Sequence, residues 1–153
     1  MPGRHVPALV SLAFAFFATS GSAFAQQDTY YKCIDERGKI LDTASRRLSA
    51  IRREMAQVED RIKDTLTRML RSNEIKRILR YPNFTMVGHH YVLPIAKEHR
   101  GEITGSVHRT SASNETVCVE PQAIAEQSAQ LSFLRSKEAK EIRRILRWLS
   151  AQV

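Results

Sequence analysis

Apolar side chains recur at intervals of three and four residues in the first half of the chain, and this spacing constrains the fold more than any other feature. The repeat comprises Leu48, Ile51, Met55, Val58, Ile62 and Met69. Its first five members are separated by three, four, three and four residues, and Met69 follows seven residues after Ile62. This pattern places one apolar stripe along an α-helix and is typical of a coiled-coil seam. We therefore predict a helix over 45–80 with one buried face, broken or bent at Ser72-Asn73.

Residues 83–121 change to short apolar runs separated by turn residues. Gly88-His89 and the Ser-Ala-Ser-Asn stretch over 111–114 are turn signals, which predicts four short strands in an antiparallel sheet. Helical spacing returns over 122–153, and Pro121 stands at the expected start of this second helix. The predicted fold is α+β, with two long antiparallel, coiled-coil-like helices bracketing a small antiparallel four-strand sheet.

Residues 1–25 differ from the rest of the chain. Arg4 and His5 precede an apolar run over 6–17, and small residues end at Ala25. This is the layout of a secretory signal peptide, and the alternative is a non-homologous N-terminal segment or a miscalled start. The apolar run is shorter than the ~20 residues that a spanning helix needs, so we expect no permanent membrane span. Residues 26–153 then form a single domain.

The composition excludes several classes of protein. Two cysteines exclude a disulfide-built scaffold and a four-thiolate zinc site. Cys33 and Cys118 are either small buried apolar residues or, in an exported protein, a disulfide. The net charge of +8 favours an acidic or phosphate-rich partner.

Basic residues are concentrated on the first predicted helix. Residues 46–80 contain eleven Lys and Arg against five Asp and Glu, an excess that favours salt-dependent binding of phosphates. Others lie on predicted turns and strand ends of the sheet. The predicted nucleic-acid-binding residues are Lys76, Arg77, Lys97, His99, Arg100, His108 and Arg109.

Metal binding and catalysis have weaker support. Four histidines fall between 89 and 108, but their spacing matches no zinc motif. Ser111 or Ser113 beside His108 lacks an orienting third group and an oxyanion turn. We therefore predict no catalytic, cofactor or metal site.

Several motifs resemble one family. They are Tyr91-Val92-Leu93-Pro94-Ile95, Glu98-His99-Arg100-Gly101, Val107-His108, Ser111-Ala112-Ser113 and Val119-Glu120-Pro121. Together with 33–38 and 134–150, they resemble the second bacterial MutS paralogue, the MutS type-two proteins, over roughly residues 30–153. The resemblance implies a truncated piece in which two lever helices carry a clamp-like sheet. ATP and Mg²⁺ would bind only in a separate domain of the family, because this chain lacks a Gly-x-x-x-x-Gly-Lys-Ser/Thr motif.

The resemblance implies a non-enzymatic nucleic-acid-binding and scaffolding role, with DNA or structured RNA held through phosphates. It favours the cytoplasm, whereas a working signal peptide over 1–25 would place the protein in the periplasm or outside the cell. The alternative function is an exported helical adaptor. In either case the apolar seam from Leu48 to Met69 is expected to pair with a second copy or with a partner helix.

Overall fold

The described part of the chain, residues 33–151 of a computed structural model, combines helices with a four-strand sheet. The helices are α1 (Arg46–Arg71), α2 (Asn73–Ile78) and α3 (Ala125–Ser150), and the strands are β1 (Thr85–Val87), β2 (His90–Ala96), β3 (Gly105–Thr110) and β4 (Thr116–Pro121). The predicted α+β class and the four-strand antiparallel sheet are confirmed. The segment 1–25, with the predicted signal peptide, lies outside the described residues.

The first helix begins and breaks where predicted. Ser45 caps it by accepting a hydrogen bond from the backbone N–H of Leu48. Ser72 then adopts an extended conformation, with φ −65° and ψ 134°, and α2 begins at the next residue. The predicted break at Ser72-Asn73 is therefore confirmed. Serine and asparagine side chains compete for nearby backbone groups, which explains why the helix breaks at Ser72-Asn73.

The sheet has the order β1-β2-β4-β3, and every neighbouring pair is antiparallel. Gly88 lies in the β1–β2 turn with a φ of 61°, and Asn114 lies in the β3–β4 turn with a φ of 59°. Both residue types tolerate this left-handed conformation. Pro121 is the last residue of β4 rather than a helix start, because a single 3₁₀ turn over Gln122–Ile124 separates it from α3.

Polar contacts show that α1 and α3 run antiparallel to each other. From one end to the other, the pairs are Ser45 with Glu141, Arg52 with Glu138, Arg135 with Glu59, and Arg61 with Gln130. Residue numbers rise along α1 as they fall along α3, so the start of α1 lies beside the end of α3.

The apolar seam of α1 is covered by the chain itself. Val58 and Ile62 belong to the main core, with residues of the sheet and of α3, and Leu48 belongs to a smaller core with Ile40 and Ile145. All three seam residues are fully buried. In this fold they cannot also face a second chain, which removes them from the predicted dimer or partner-helix surface. Met55 and Met69 are partly buried against the main core.

Cys33 and Cys118 are both free thiols, and Cys33 is buried. Across residues 33–151, none of the helices has both the length and the apolar character needed to cross a membrane.

Candidate nucleic-acid interface

The C-terminal half of α1 carries three arginines along one side. Arg61, Arg68 and Arg71 border an open groove of about 470 Å³, to which Asp64, Thr65 and Gln127 also contribute. Intervals of seven and three residues bring side chains to neighbouring positions on a helix surface. The groove therefore presents three guanidinium groups beside the first turn of α3.

These guanidinium groups have no acidic partner among the described residues. Arg61 donates a hydrogen bond to Gln130 Oε1 at 3.4 Å, and Arg68 donates one to Thr65 Oγ1 at 3.1 Å. The side-chain oxygen of Gln127 is buried and accepts no hydrogen bond from residues 33–151. The groove thus offers three guanidinium groups that form no ion pair with its one carboxylate, Asp64, and one unsatisfied acceptor.

Two arginines elsewhere in the helix pair are neutralised by acidic partners. Arg52 contacts Glu138 at 2.6 Å and also pairs with Asp42, while Arg135 contacts Glu59 at 3.3 Å. What distinguishes the groove from an ordinary charged helix flank is that three arginines without an ion pair border one concave surface.

Two of the predicted contact residues converge on one carboxylate. His99 Nδ1 donates to Glu102 at 2.6 Å, and Arg77 pairs with the other oxygen of the same group. The hydrogen bond from His99 and the nearby Arg77 guanidinium hold the pKa of Glu102 below its ordinary value. Part of the positive charge predicted for this region is therefore offset within the protein.

Arg100 forms hydrogen bonds to the backbone rather than to an acidic side chain. Its guanidinium donates to the carbonyl oxygens of Ile103 and Gly105, both at 3.1 Å, and so fixes the turn that leads into β3. By contrast, Lys76, Lys97 and Arg109 are exposed and form no ion pair with any residue in 33–151. Among the seven predicted residues, these three therefore carry positive charges that no acidic partner offsets.

His108 lies in a different environment from the other predicted contacts. Its Nε2 is 2.5 Å from Glu120 Oε2, and His90 Nδ1 is 3.0 Å from the same oxygen. The two imidazole rings stack with their centroids 4.1 Å apart. Histidine spacing does not predict this cluster, because its members come from β2, β3 and β4 and meet only through strand pairing.

The groove was also not selected by the sequence pattern. Arg61, Arg68 and Arg71 are among the basic residues counted over 46–80, but the seven predicted contacts lie on α2, on β3 and on the 3₁₀ turn between β2 and β3. The available signal was their common helix face. That face becomes specific only with the tertiary structure, in which Gln127 of α3 and the three arginines border one groove.

Curated proteins similar to this chain bear the name Endonuclease MutS2. The protein of Listeria innocua is 41% identical over 120 residues, which is 78% of this chain and 15% of the relative. Those of Brevibacillus brevis and Geobacillus sp. (strain WCH70) are 40% and 39% identical, over 80% and 83% of this chain and 16% of each relative. No protein-family model matches the chain.

The chain thus spans only 15% or 16% of the length of these relatives. The similarity nevertheless extends over most of the chain, including the region that carries the motifs. These matches confirm the resemblance indicated by the motifs: the chain is similar to a short segment of the MutS type-two family.

Proposed function

We propose that this chain is a non-enzymatic nucleic-acid-binding and scaffolding segment that contacts the phosphates of DNA, or of structured RNA, through the groove on α1. The observation that carries the proposal is the set of three groove arginines without acidic partners. Arginine presents a planar fork of donors that matches the oxygens of a phosphate. The exposed Lys76, Lys97 and Arg109 extend the basic surface beyond the groove.

The relatives support a nucleic-acid partner. Their name, endonuclease, denotes action on a nucleic acid. Because this chain spans a small part of each relative, we assign it a share of the binding rather than the cleavage. The same similarity favours work in the cytoplasm and a MutS-like role in DNA repair or recombination, with this segment as part of a lever and clamp.

The side chains that line the groove indicate how it would bind a nucleic acid. The groove supplies charged donors but no cluster of exposed aromatic rings on which bases would stack. Phosphate contacts fix position and carry little sequence information. We therefore expect recognition of the backbone or of nucleic-acid shape, with strong dependence on salt.

The test is fluorescence anisotropy with labelled duplex DNA, branched DNA and an RNA hairpin, each titrated at several salt concentrations. Loss of three phosphate contacts in the Arg61→Ala/Arg68→Ala/Arg71→Ala variant should reduce the slope of log K against log salt by about 3. The matched control is Lys140→Ala/Arg143→Ala/Arg147→Ala, which removes the same charge from exposed positions at the opposite end of the helix pair.

The control should retain most of the affinity and the slope. Equal losses in the two variants would indicate a general charge effect and contradict the groove. Absence of binding to all three nucleic acids at low salt would contradict the function itself. The alternative, an adaptor that pairs through the seam, has less support because Leu48, Val58 and Ile62 are covered by this chain's own core.

A further inference from the structure

Three side chains from three adjacent strands converge at one face of the sheet. His90 from β2, His108 from β3 and Glu120 from β4 place one nitrogen or oxygen each within 4.8 Å of one another. The two imidazole nitrogens lie 3.0 and 2.5 Å from the same carboxylate oxygen. Two nitrogens and one oxygen are thus close enough together to bind one ion.

Glu120 is buried, and no lysine or arginine among the described residues forms an ion pair with it. Its side chain is 8% exposed, and its polar partners among the described residues are the two imidazoles. The other buried carboxylate, Glu141, instead contacts the guanidinium of Arg144 at 2.7 Å. A buried carboxylate is costly unless it is paired or coordinates a metal.

The backbone is shaped to bring the three groups together. The pairing of β3 with β4 shifts between Val107 and Arg109, so His108 is the extra residue of a β-bulge. Bulges re-aim a side chain relative to the regular alternation of a strand. At the start of β3, a Cβ on Gly105 would overlap the carbonyl group of Glu120, so glycine allows the two strands to approach closely there.

We propose that His90, His108 and Glu120 bind a divalent transition-metal ion of the zinc class. Two imidazoles and one carboxylate form a known three-ligand zinc set, with metal–ligand distances of about 2.0–2.2 Å. The nitrogen ligands favour such ions over Mg²⁺ and Ca²⁺, which prefer oxygen. The side chains of His90 and His108 are 42% and 21% exposed, so solvent reaches the open side of the centre and completes the coordination.

The test uses the full chain after removal of metals with a chelator. Isothermal titration with Zn²⁺ should give one ion per chain, and binding should raise Tm because only the folded chain assembles the three ligands. Co²⁺ should give visible absorption from nitrogen and oxygen ligands without a thiolate charge-transfer band. Mg²⁺ at the same concentration should produce neither effect.

Variants identify the ligands. Glu120→Gln and His108→Ala should each weaken Zn²⁺ binding by more than about 100-fold, since loss of even an outer-shell partner costs about 10–100-fold. His89→Ala, an exposed histidine next to His90, is the matched control and should bind as the parent chain does. Circular dichroism of each variant without metal reports whether it folds, and the Co²⁺ spectrum of the parent chain is independent of that outcome.

The two cysteine thiols are the alternative ligands for Zn²⁺ in this chain. A Cys33→Ser/Cys118→Ser variant should keep full Zn²⁺ affinity, and loss of binding there would overturn the proposal. So would absence of stoichiometric Zn²⁺ binding to the parent chain at micromolar concentrations, or full binding by folded Glu120→Gln and His108→Ala. None of these three results bears on the groove of α1, which is tested with nucleic acid.

Discussion

Glu141 stabilises the contact between the start of α1 and the end of α3. It is buried, accepts a hydrogen bond from Ser45 at 2.7 Å and contacts Arg144 at 2.7 Å. The hydrogen bonds from Arg144 and Ser45 lower its pKa from the ordinary 4.5 to about 2. The folded chain therefore holds this carboxylate in its charged form more strongly than the unfolded chain does.

The pH dependence of the free energy of unfolding follows from that pKa. Because the folded pKa is depressed, the contribution is fully present above pH 4.5 and is lost as pH falls towards 2. Glu141→Gln should lower the free energy of unfolding by about 1–2 kcal/mol at neutral pH, since Arg144 is exposed and the pair is partly screened. Urea unfolding at several pH values should show this difference shrink below pH 4.5.

Glu98→Gln, at an exposed carboxylate without an ion pair among the described residues, is the matched control and should change little. A difference between parent and Glu141→Gln that stays constant down to the lowest pH would contradict the assigned charge state.

Gly105 is required for steric reasons. Gly105→Ala would place a Cβ against the carbonyl group of Glu120, which is backbone and cannot rotate away. We expect the free energy of unfolding to fall by about 2 kcal/mol or more. Gly101→Ala is the matched control, because no atom lies within 4 Å of its added Cβ, and it should change the stability by less than about 0.5 kcal/mol. Similar losses in the two variants, measured by urea unfolding, would argue against close strand approach at Gly105.

Arg52 connects three elements with one side chain. It donates to the carbonyl of Ile40 at 2.9 Å and to Glu138 on α3 at 2.6 Å, and it pairs with Asp42 in the turn before α1. Arg52→Ala leaves these acceptors without their donor, so we expect a loss of about 2–3 kcal/mol in the free energy of unfolding. The adjacent Arg53 is exposed and forms no ion pair with residues 33–151, so Arg53→Ala should be nearly neutral. Equal unfolding midpoints for the two variants would contradict this role.

The sequence predicted the helices and strands better than it predicted which surfaces pack against them. The spacing of the seam identified the buried face of α1, and Gly88 and Asn114 marked the turns of the sheet. The heptad step from Ile62 to Met69 passed over Leu66, which is fully buried four residues after Ile62. Periodicity shows which face of a helix is buried but not what covers it, so it does not decide between an intrachain core and a seam for another chain.

The sites illustrate the same limit. A local motif search compares residues close in sequence, whereas His90, His108 and Glu120 meet through strand register and a bulge. Which arginines are neutralised likewise depends on α3 lying antiparallel beside α1. Residue types and element boundaries are encoded locally, but charge pairing and side-chain convergence require the tertiary arrangement.

At the scale of the whole molecule, the apolar interior is divided into unequal parts. The main core joins α1, α3 and the sheet, whereas the smaller core at the start of α1 contains Ile40, Leu48 and Ile145. Regions with fewer buried apolar contacts open at lower free energy than the global transition. The end of the helix pair held by the smaller core should therefore open while the rest stays folded.

Native-state hydrogen exchange in low urea tests this division. Amides near Leu48 and Ile145 should exchange through an opening of lower free energy and weaker urea dependence than amides near Ile62 and Leu134. Arg52→Ala should accelerate exchange at the first pair of sites more than at the second, because Arg52 joins Ile40 and Glu138 at that end of the molecule. Arg53→Ala should leave both rates close to those of the parent chain. If all four regions share one opening free energy and one urea dependence, the two cores unfold as a single cooperative unit and the division is wrong.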